Sequence, residues 1–268
     1  MPKPPKPPQS KTEWKDQYTL LCESCGYILE GLDQALPCPE CGKPITESLP
    51  ERRTGTPWQQ HPSTKTIFQT WWMTIRHPIQ TLDIMSFNRE VKNEPVIRSL
   101  LTTAILVTVW VMLLNLIFKP SLWGIVMSVT MIPFFGVVVG LSCLGTAYLL
   151  TVIESNGLKI IGRSKGFRIS NEIAWPIVTH GTVGWSVLGF FLGTALLLQF
   201  HSLGIQNQDQ NPTPSEYGTI SILNFWRNII LIFGALPGFL FFEYFAYLGL
   251  RRCKYANTLP PKSPPQKP

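Results

Sequence analysis

The chain has 268 residues, of which 15% are charged and 45% are hydrophobic, and its formal net charge is +7. A charged fraction so far below the ~25% that is usual for soluble domains disfavours an ordinary soluble enzyme. The basic residues flank apolar runs instead of forming one stripe, and this pattern favours a membrane over nucleic acid as the partner of the positive charge.

The chain begins with a segment rich in proline and lysine, residues 1–17, and a similar segment follows at residues 253–268. Such compositions cannot bury a core, so both segments are predicted to be disordered tails. The first tail lacks the apolar stretch of a signal peptide.

Two Cys-x-x-Cys pairs, separated by twelve residues, define a small module at residues 18–47. Each pair can bring two thiolates to one metal, and the glycine after its second cysteine allows the positive φ of a tight turn. Four cysteines fill a tetrahedral site and leave no position for water or substrate, so the predicted metal is structural. Zn²⁺ is favoured over a rubredoxin-like iron. The predicted ligands are Cys22, Cys25, Cys38 and Cys41.

The sequence of residues 25–32, followed by Cys-Pro-Glu-Cys-Gly at 38–42, resembles the short zinc ribbons that precede membrane domains in many planctomycete-type bacterial proteins. The resemblance implies a ribbon fold and a cytoplasmic accessory module. Acidic residues outnumber Lys43 within the module, and a tetrathiolate zinc centre is itself negative, so nucleic acid is disfavoured as its ligand. Contact with another protein, or a role as a stabilising cap, is favoured instead.

A linker is predicted at residues 48–66, followed by amphipathic helices over residues 67–94. Ser63 or Thr64 can cap the first of them, and His77-Pro78 breaks it from the second. The predicted apolar face carries two adjacent tryptophans close to a membrane helix, which favours an interfacial helix on the cytoplasmic leaflet. Packing of this face against the ribbon is the alternative. The face comprises Ile67, Phe68, Trp71, Trp72 and Ile75.

Four long apolar runs, at residues 100–118, 122–153, 173–200 and 220–250, lie within a predicted membrane domain of residues 95–252. Even the shortest run can cross a ~30 Å hydrocarbon core at ~1.5 Å per residue. Twelve Lys and Arg residues precede the first run; one, four and none lie in the three loops, and five in the tail. This alternation predicts four spans with both termini in the cytoplasm, in the cell's inner membrane.

Two further segments resemble the bacterial Yip family of membrane domains. Residues 76–82 are similar to the opening of these domains, and Gly162, residues 165–168 and Trp175-Pro176 are similar to the loop that enters their third helix. The resemblance covers roughly residues 67–250. It implies an integral membrane domain without known catalysis, which is linked in eukaryotes to vesicle trafficking.

Among the polar residues within the apolar runs, His180 in the third run and Glu243 in the fourth are ionisable and lie well inside the predicted helices. Both are predicted to lie roughly 10–12 Å inside the cytoplasmic ends of antiparallel helices, where they can pair. The pair suggests a proton relay or substrate contact in a transporter, whereas the simpler interpretation is a bond that locks two helices. Ser142 with His180 suggests an intramembrane hydrolase more remotely.

The sequence therefore predicts an all-α polytopic membrane bundle with four transmembrane helices and a small N-terminal zinc ribbon with four cysteine ligands. The predicted function is a non-enzymatic membrane scaffold or adaptor that contacts another protein through the ribbon or through the membrane domain. No small-molecule substrate is identified. A transporter component that uses His180 and Glu243 is the alternative, and an intramembrane hydrolase is the remote one.

Overall fold

The computed structural model describes residues 18–87, 94–118, 122–208 and 213–258. These parts are mostly helical and contain two isolated β-bridges but no strand. The helices are α1 (Pro57–Gln60), α2 (Thr64–Arg76), α3 (Pro78–Ile84), α4 (Glu94–Phe118), α5 (Leu122–Ser164), α6 (Asn171–Gly181), α7 (Val183–Gln208), α8 (Pro214–Ile230) and α9 (Leu236–Arg252). Short 3₁₀ turns lie at Ile45–Ser48 and Pro50–Arg52.

Two of the predicted spans coincide with helices that are long and apolar enough to cross a membrane. They are Asn171–Gln199, which joins α6 to most of α7, and Pro214–Arg252, which joins α8 to α9. The first two predicted runs are also helical, as α4 and α5, and that these two cross a membrane stays a prediction. The mostly helical prediction is thus confirmed for the described residues.

Several helices run further than the apolar runs that predicted them. Helix α5 continues from residue 153 to Ser164, so Lys159 and Arg163 are helical and only a short loop precedes α6. Helix α8 begins at Pro214 because Thr213 caps it and Glu216 reaches back to the cap. A change from apolar to polar residues predicts where a helix would leave the hydrocarbon core of a membrane. The helix itself continues until a cap or a glycine ends it.

Between α8 and α9 the chain forms a wide π-helical turn, Leu231–Ala235. Pro237 follows two residues later and has no N–H to donate to the carbonyl of Phe233. Such a lost hydrogen bond is a known cause of a local change in helix pitch. The turn keeps α8 and α9 continuous instead of breaking them.

The chain divides into two compact units. Of the described residues, the first contains 18–87, 152–180 and 245–258, and the second contains 94–118, 122–151, 181–208 and 213–244. In the first unit, the core of the ribbon is formed by Cys22, Leu29, Cys38 and Ile45. Gly249 in α9 lets α6 approach closely, because a Cβ there would lie 2.3 Å from Cγ2 of Ile177.

The second unit is built around α7, which packs against α4 and α8. Hydroxyl pairs join Ser99 to Thr182 at 3.0 Å and Thr103 to Ser186 at 2.5 Å. The residue numbers rise together along both helices, so α4 and α7 run parallel. This direction matches the first and third spans of the predicted alternating bundle.

Helix α7 meets the α8–α9 segment in the opposite direction. Gly184 lies against Gly238, and a Cβ at Gly184 would come within 2.4 Å of the carbonyl oxygen of Gly238. Further along, Gly234 lies against the ring of Phe191. Close approach of backbones at small residues is typical of helix pairs in membranes, where burial of apolar surface contributes little.

Candidate metal centre

The two cysteine pairs adopt the same local turn. The N–H of Gly26 donates to the carbonyl of Cys22 at 2.8 Å, and the N–H of Gly42 donates to that of Cys38 at 2.9 Å. Both glycines have positive φ, +83° and +72° respectively, which is costly for a residue with a Cβ. The predicted role of these two glycines is confirmed.

The four cysteine sulfurs come together as the spacing predicted. Sγ of Cys22 lies 3.5 Å from Sγ of Cys41, and Sγ of Cys25 lies 3.7 Å from Sγ of Cys38. All four ligand atoms lie within 4.8 Å of one another. Disulfide sulfurs would be about 2.05 Å apart, whereas the corners of a tetrahedron with Zn–S bonds of ~2.3 Å are about 3.8 Å apart. The four cysteines can therefore hold one metal ion.

Backbone N–H groups favour thiolate character at this centre. Burial raises the pKa of Cys22, but N–H groups of Cys25 and Ser24 donate to its sulfur, and together with neighbouring thiols they lower the pKa to about 7. The pKa of Cys25 is raised by burial and by the other three thiols, although the N–H of Tyr27 opposes the rise. The thiolate is the form that binds a metal, so binding of an ion releases protons from these thiols.

One face of the ribbon is covered by the end of the chain. The side chain of Asn257 accepts from the N–H of Leu21 at 3.0 Å and donates to the carbonyls of Leu21 at 2.8 Å and Ser48 at 2.7 Å. The ring of Tyr255 lies on Gly26, where a Cβ would meet Cζ of the ring at 2.8 Å. We call residues 253–258 the clasp.

Arg168, in the loop between α5 and α6, holds the clasp and the ribbon together. Its guanidinium donates to Oδ1 of Asn257 at 2.6 Å and to the carbonyls of Ala256, at 3.0 Å, and Thr19. Its own N–H donates to the carbonyl of Lys254 at 2.8 Å. The side chain is buried, so these bonds form where water cannot replace them.

A second arginine joins the ribbon to α3. Arg53 pairs with Glu23 at 2.8 Å and donates to the carbonyl of Leu82 at 2.7 Å, near the end of that helix. Burial alone would lower the pKa of Arg53, but Glu23 raises it, so the charge is kept. Carbonyls at the end of a helix favour a cation in the same way.

These contacts change the predicted organisation of the soluble segments. Residues 48–66 were predicted to be a linker, yet Arg53 and Thr56 are buried there. The tail was predicted to be disordered from residue 253, yet Asn257 is buried in the first unit. The reason is a few side-chain to backbone hydrogen bonds that composition does not reveal. Residues 1–17 and 259–268, the rest of the predicted tails, lie outside the described residues.

Another part of the ribbon surface is exposed and partly apolar. Tyr27, Ile28 and Leu36 are 39%, 54% and 55% exposed. The exposed acidic residues around them are Glu30, Asp33 and Glu40. We call these six residues the outward ribbon face.

The two polar residues of the predicted membrane helices belong to different units. His180 belongs to the first unit, and Glu243 belongs to the second. Nδ1 of His180 must donate to the carbonyl of Pro176, 2.8 Å away, so Nε2 of the neutral ring accepts from the hydroxyl of Thr56 at 3.0 Å. Pairing of His180 with Glu243 stays a prediction. The side chain of Ser142 lies outside the described residues.

Three residues with central roles in the first unit were not predicted from sequence: Arg53, Arg168 and Asn257. Arg168 contributed only as a positive charge in a cytoplasmic loop, and Asn257 lay in a tail that composition marks as disordered. The signal that existed was the placement of two arginines within otherwise apolar or proline-rich surroundings.

Comparison of the chain with protein-family models, with curated proteins and with solved structures finds no match. The resemblances to planctomycete-type zinc ribbons and to the Yip family stay predictions that rest on their own residues. The metal centre is defined by its geometry alone.

Proposed function

We propose that this protein is a non-enzymatic scaffold of the inner membrane that holds a partner protein through its zinc-bound ribbon. Four helices would cross the membrane, with both termini in the cytoplasm. The metal is structural, because four cysteines complete its tetrahedral coordination and leave no position for a substrate. The observation that carries the proposal is the division of the ribbon into one covered face and one exposed face.

The covered face is already used within the chain. Asn257, Tyr255 and Arg168 occupy it through buried hydrogen bonds and ring contacts. A partner therefore cannot bind there without displacing the clasp. The outward ribbon face is the surface that stays available.

The chemistry of the outward ribbon face favours protein over lipid or nucleic acid. Exposed Ile28 and Leu36 offer apolar anchors on a module of only about thirty residues. Glu30, Asp33 and Glu40 add negative charge, which repels phosphates. Apolar anchors within a charged rim are typical of protein interfaces, so the expected partner presents an apolar and basic surface.

The membrane part of the proposal is supported by helix direction and charge. Parallel packing of α4 with α7, and antiparallel packing of α7 with α8–α9, are the directions that an alternating bundle requires. Reporter fusions to the two ends of the chain test this part directly. Both are expected on the cytoplasmic side, and reporters on opposite sides would contradict four spans.

The adaptor part is tested by cross-linking in living cells, with a photoreactive side chain at position 36. A discrete adduct with one protein is expected, and Ile28→Glu should abolish it while metal content stays at one ion per chain. Thr46→Glu is the matched control, because it adds the same charge at an exposed polar position of the same module. If the adduct persists in the Ile28→Glu protein, or forms only within the chain itself, the adaptor proposal fails.

A further inference from the structure

Helix α2 directs its larger apolar side chains away from the rest of the first unit. Phe68, Trp72 and Ile75 are 43%, 62% and 45% exposed, and Ile79 at the start of α3 is 51% exposed. The sequence placed Ile67 on the same apolar face, but the structure buries it. We call Phe68, Trp72, Ile75 and Ile79 the outward α2 face.

The buried side of α2 carries threonines as well as apolar side chains. Thr70 and Thr74 lie there beside Ile67. Oγ1 of Thr70 accepts from the N–H of Trp58 at 3.0 Å, and the hydroxyl of Thr74 donates to the carbonyl of Thr70 at 2.8 Å. A helix at the surface of a soluble protein buries its apolar face and exposes its polar one. Helix α2 instead leaves Phe68, Trp72 and Ile75 exposed, and this exposure fits a helix whose outward face is covered by an apolar medium.

The charged side chains of helix α2 are both positive. Lys65 and Arg76 are exposed and lie seven residues before and four residues after Trp72, so they border the same side of the helix. The guanidinium of Arg76 lies 5.6 Å from the ring of Trp72. Helix α2 contains no Asp or Glu. Tryptophan beside basic side chains is the usual composition of a helix at the headgroup level of a bilayer.

We propose that the outward α2 face, with Lys65 and Arg76, docks on an anionic phospholipid surface. This proposal rests on the proposed function, because it requires that the chain is anchored in a bilayer. Charge identifies the ligand of the outward α2 face. An apolar face bordered by basic side chains fits negatively charged headgroups, whereas the acidic outward ribbon face does not. Helix α2 would then lie in the interface while the ribbon stays in water.

The test uses the full chain, reconstituted in phosphatidylcholine vesicles with and without phosphatidylglycerol. A benzophenone side chain replaces Trp72, and a trace of alkyne-tagged phospholipid reports the adduct. Strong labelling of lipid is expected at position 72. The control carries the same group at Gln34, which is exposed on the ribbon and should label no lipid.

The charge requirement is tested with Lys65→Gln and Arg76→Gln in the position 72 background. Each removed charge should weaken docking about fivefold in vesicles that contain phosphatidylglycerol, and should have little effect in neutral vesicles. Unchanged metal content and helicity show that the variants fold.

The outcomes separate this inference from the proposed function. If the protein resists carbonate extraction but position 72 labels no lipid, or labels protein instead, the docking proposal is overturned and the membrane scaffold stands. Equal lipid labelling at position 34, or no effect of the two charge substitutions, also overturns it. If carbonate removes the protein from the vesicles, both proposals fail.

Discussion

Different kinds of contact stabilise the interior of each of the two units. The first unit contains four clustered cysteines that can hold a metal ion, and buried hydrogen bonds from Arg53, Arg168 and Asn257. The second relies on glycine contacts between helices and on hydroxyl pairs such as Thr103 with Ser186. The two units therefore differ in the type of interaction that stabilises them.

The difference follows from the solvent that each unit is built for. In water, a module of about thirty residues cannot bury enough apolar surface, so metal ligation and charged hydrogen bonds fix it. Between apolar helices in lipid, burial of apolar surface has little effect, and close backbone approach with short hydroxyl bonds takes its place. This is the contrast that the proposed membrane location of the second unit would produce.

Loss of the metal should have the largest effect, and it should be confined to the first unit. Cys22→Ser removes one of four ligands, and structural zinc sites contribute about 10–16 kcal/mol to folding. We expect the bound metal to fall from one ion per chain to near zero, measured by elemental analysis. Proteolysis within residues 18–48 should follow, while the helical content of the second unit is retained. Collapse of both units together would show that the comparison is wrong.

Close packing in the second unit is tested with Gly184→Ala. The new Cβ would lie 2.4 Å from the carbonyl oxygen of Gly238. This backbone atom cannot relieve the clash by a change of rotamer, as a side chain could. We expect the free energy of unfolding in detergent to fall by at least about 3 kcal/mol, because the added methyl group must push two helices apart. Gly145→Ala is the control, because nothing lies within 4 Å of its Cβ and little change is expected. Equal stability of the two variants would contradict the close approach.

The clasp is tested with Asn257→Ala. The change leaves the N–H and carbonyl of Leu21 and the carbonyl of Ser48 without their partner, at a cost of about 2 kcal/mol. Burial raises the pKa of the Cys253 thiol to about 12, so alkylation at neutral pH reports opening of the clasp. Labelling of Cys253 should accelerate in this variant. Asn156→Ala, at an exposed site on α5, should leave the rate unchanged.

The smallest effect is expected for Ser186→Ala. The hydroxyl of Thr103 donates to the carbonyl of Ser99, so Ser186 is the donor to Thr103. Single hydrogen bonds between membrane helices contribute about 0.6 kcal/mol on average. A double-mutant cycle with Thr103→Val measures this coupling, and Ser221→Ala on the exposed side of α8 is the control. A coupling energy above about 2 kcal/mol would show that this pair contributes more than hydrogen bonds between membrane helices usually do.

The sequence was sufficient for features that depend on spacing along the chain. The cysteine ligands, the turns at Gly26 and Gly42, and the break between α2 and α3 at His77-Pro78 all follow from short local patterns. The cap of α2 at Ser63 does so as well. In each case one residue type has a strong physical reason to occupy one position.

Features that depend on distant partners were not accessible in this way. Asn257 meets Leu21 across 236 positions of sequence, and no pattern in either segment indicates the other. The division of α2 into a buried threonine face and an exposed aromatic face also needed the structure, because periodicity gives the width of an apolar stripe but not which part of it is covered.

The clasp has a consequence for the order in which the chain folds during synthesis. Residues 18–48 leave the ribosome first, and their four cysteines can take up metal at once. The covered face of the ribbon, however, is completed only by residues 253–258, after every intervening helix has been made. Until residues 253–258 have been synthesised and have bound, Leu21 and Gly26 therefore lack the cover that Asn257 and Tyr255 provide.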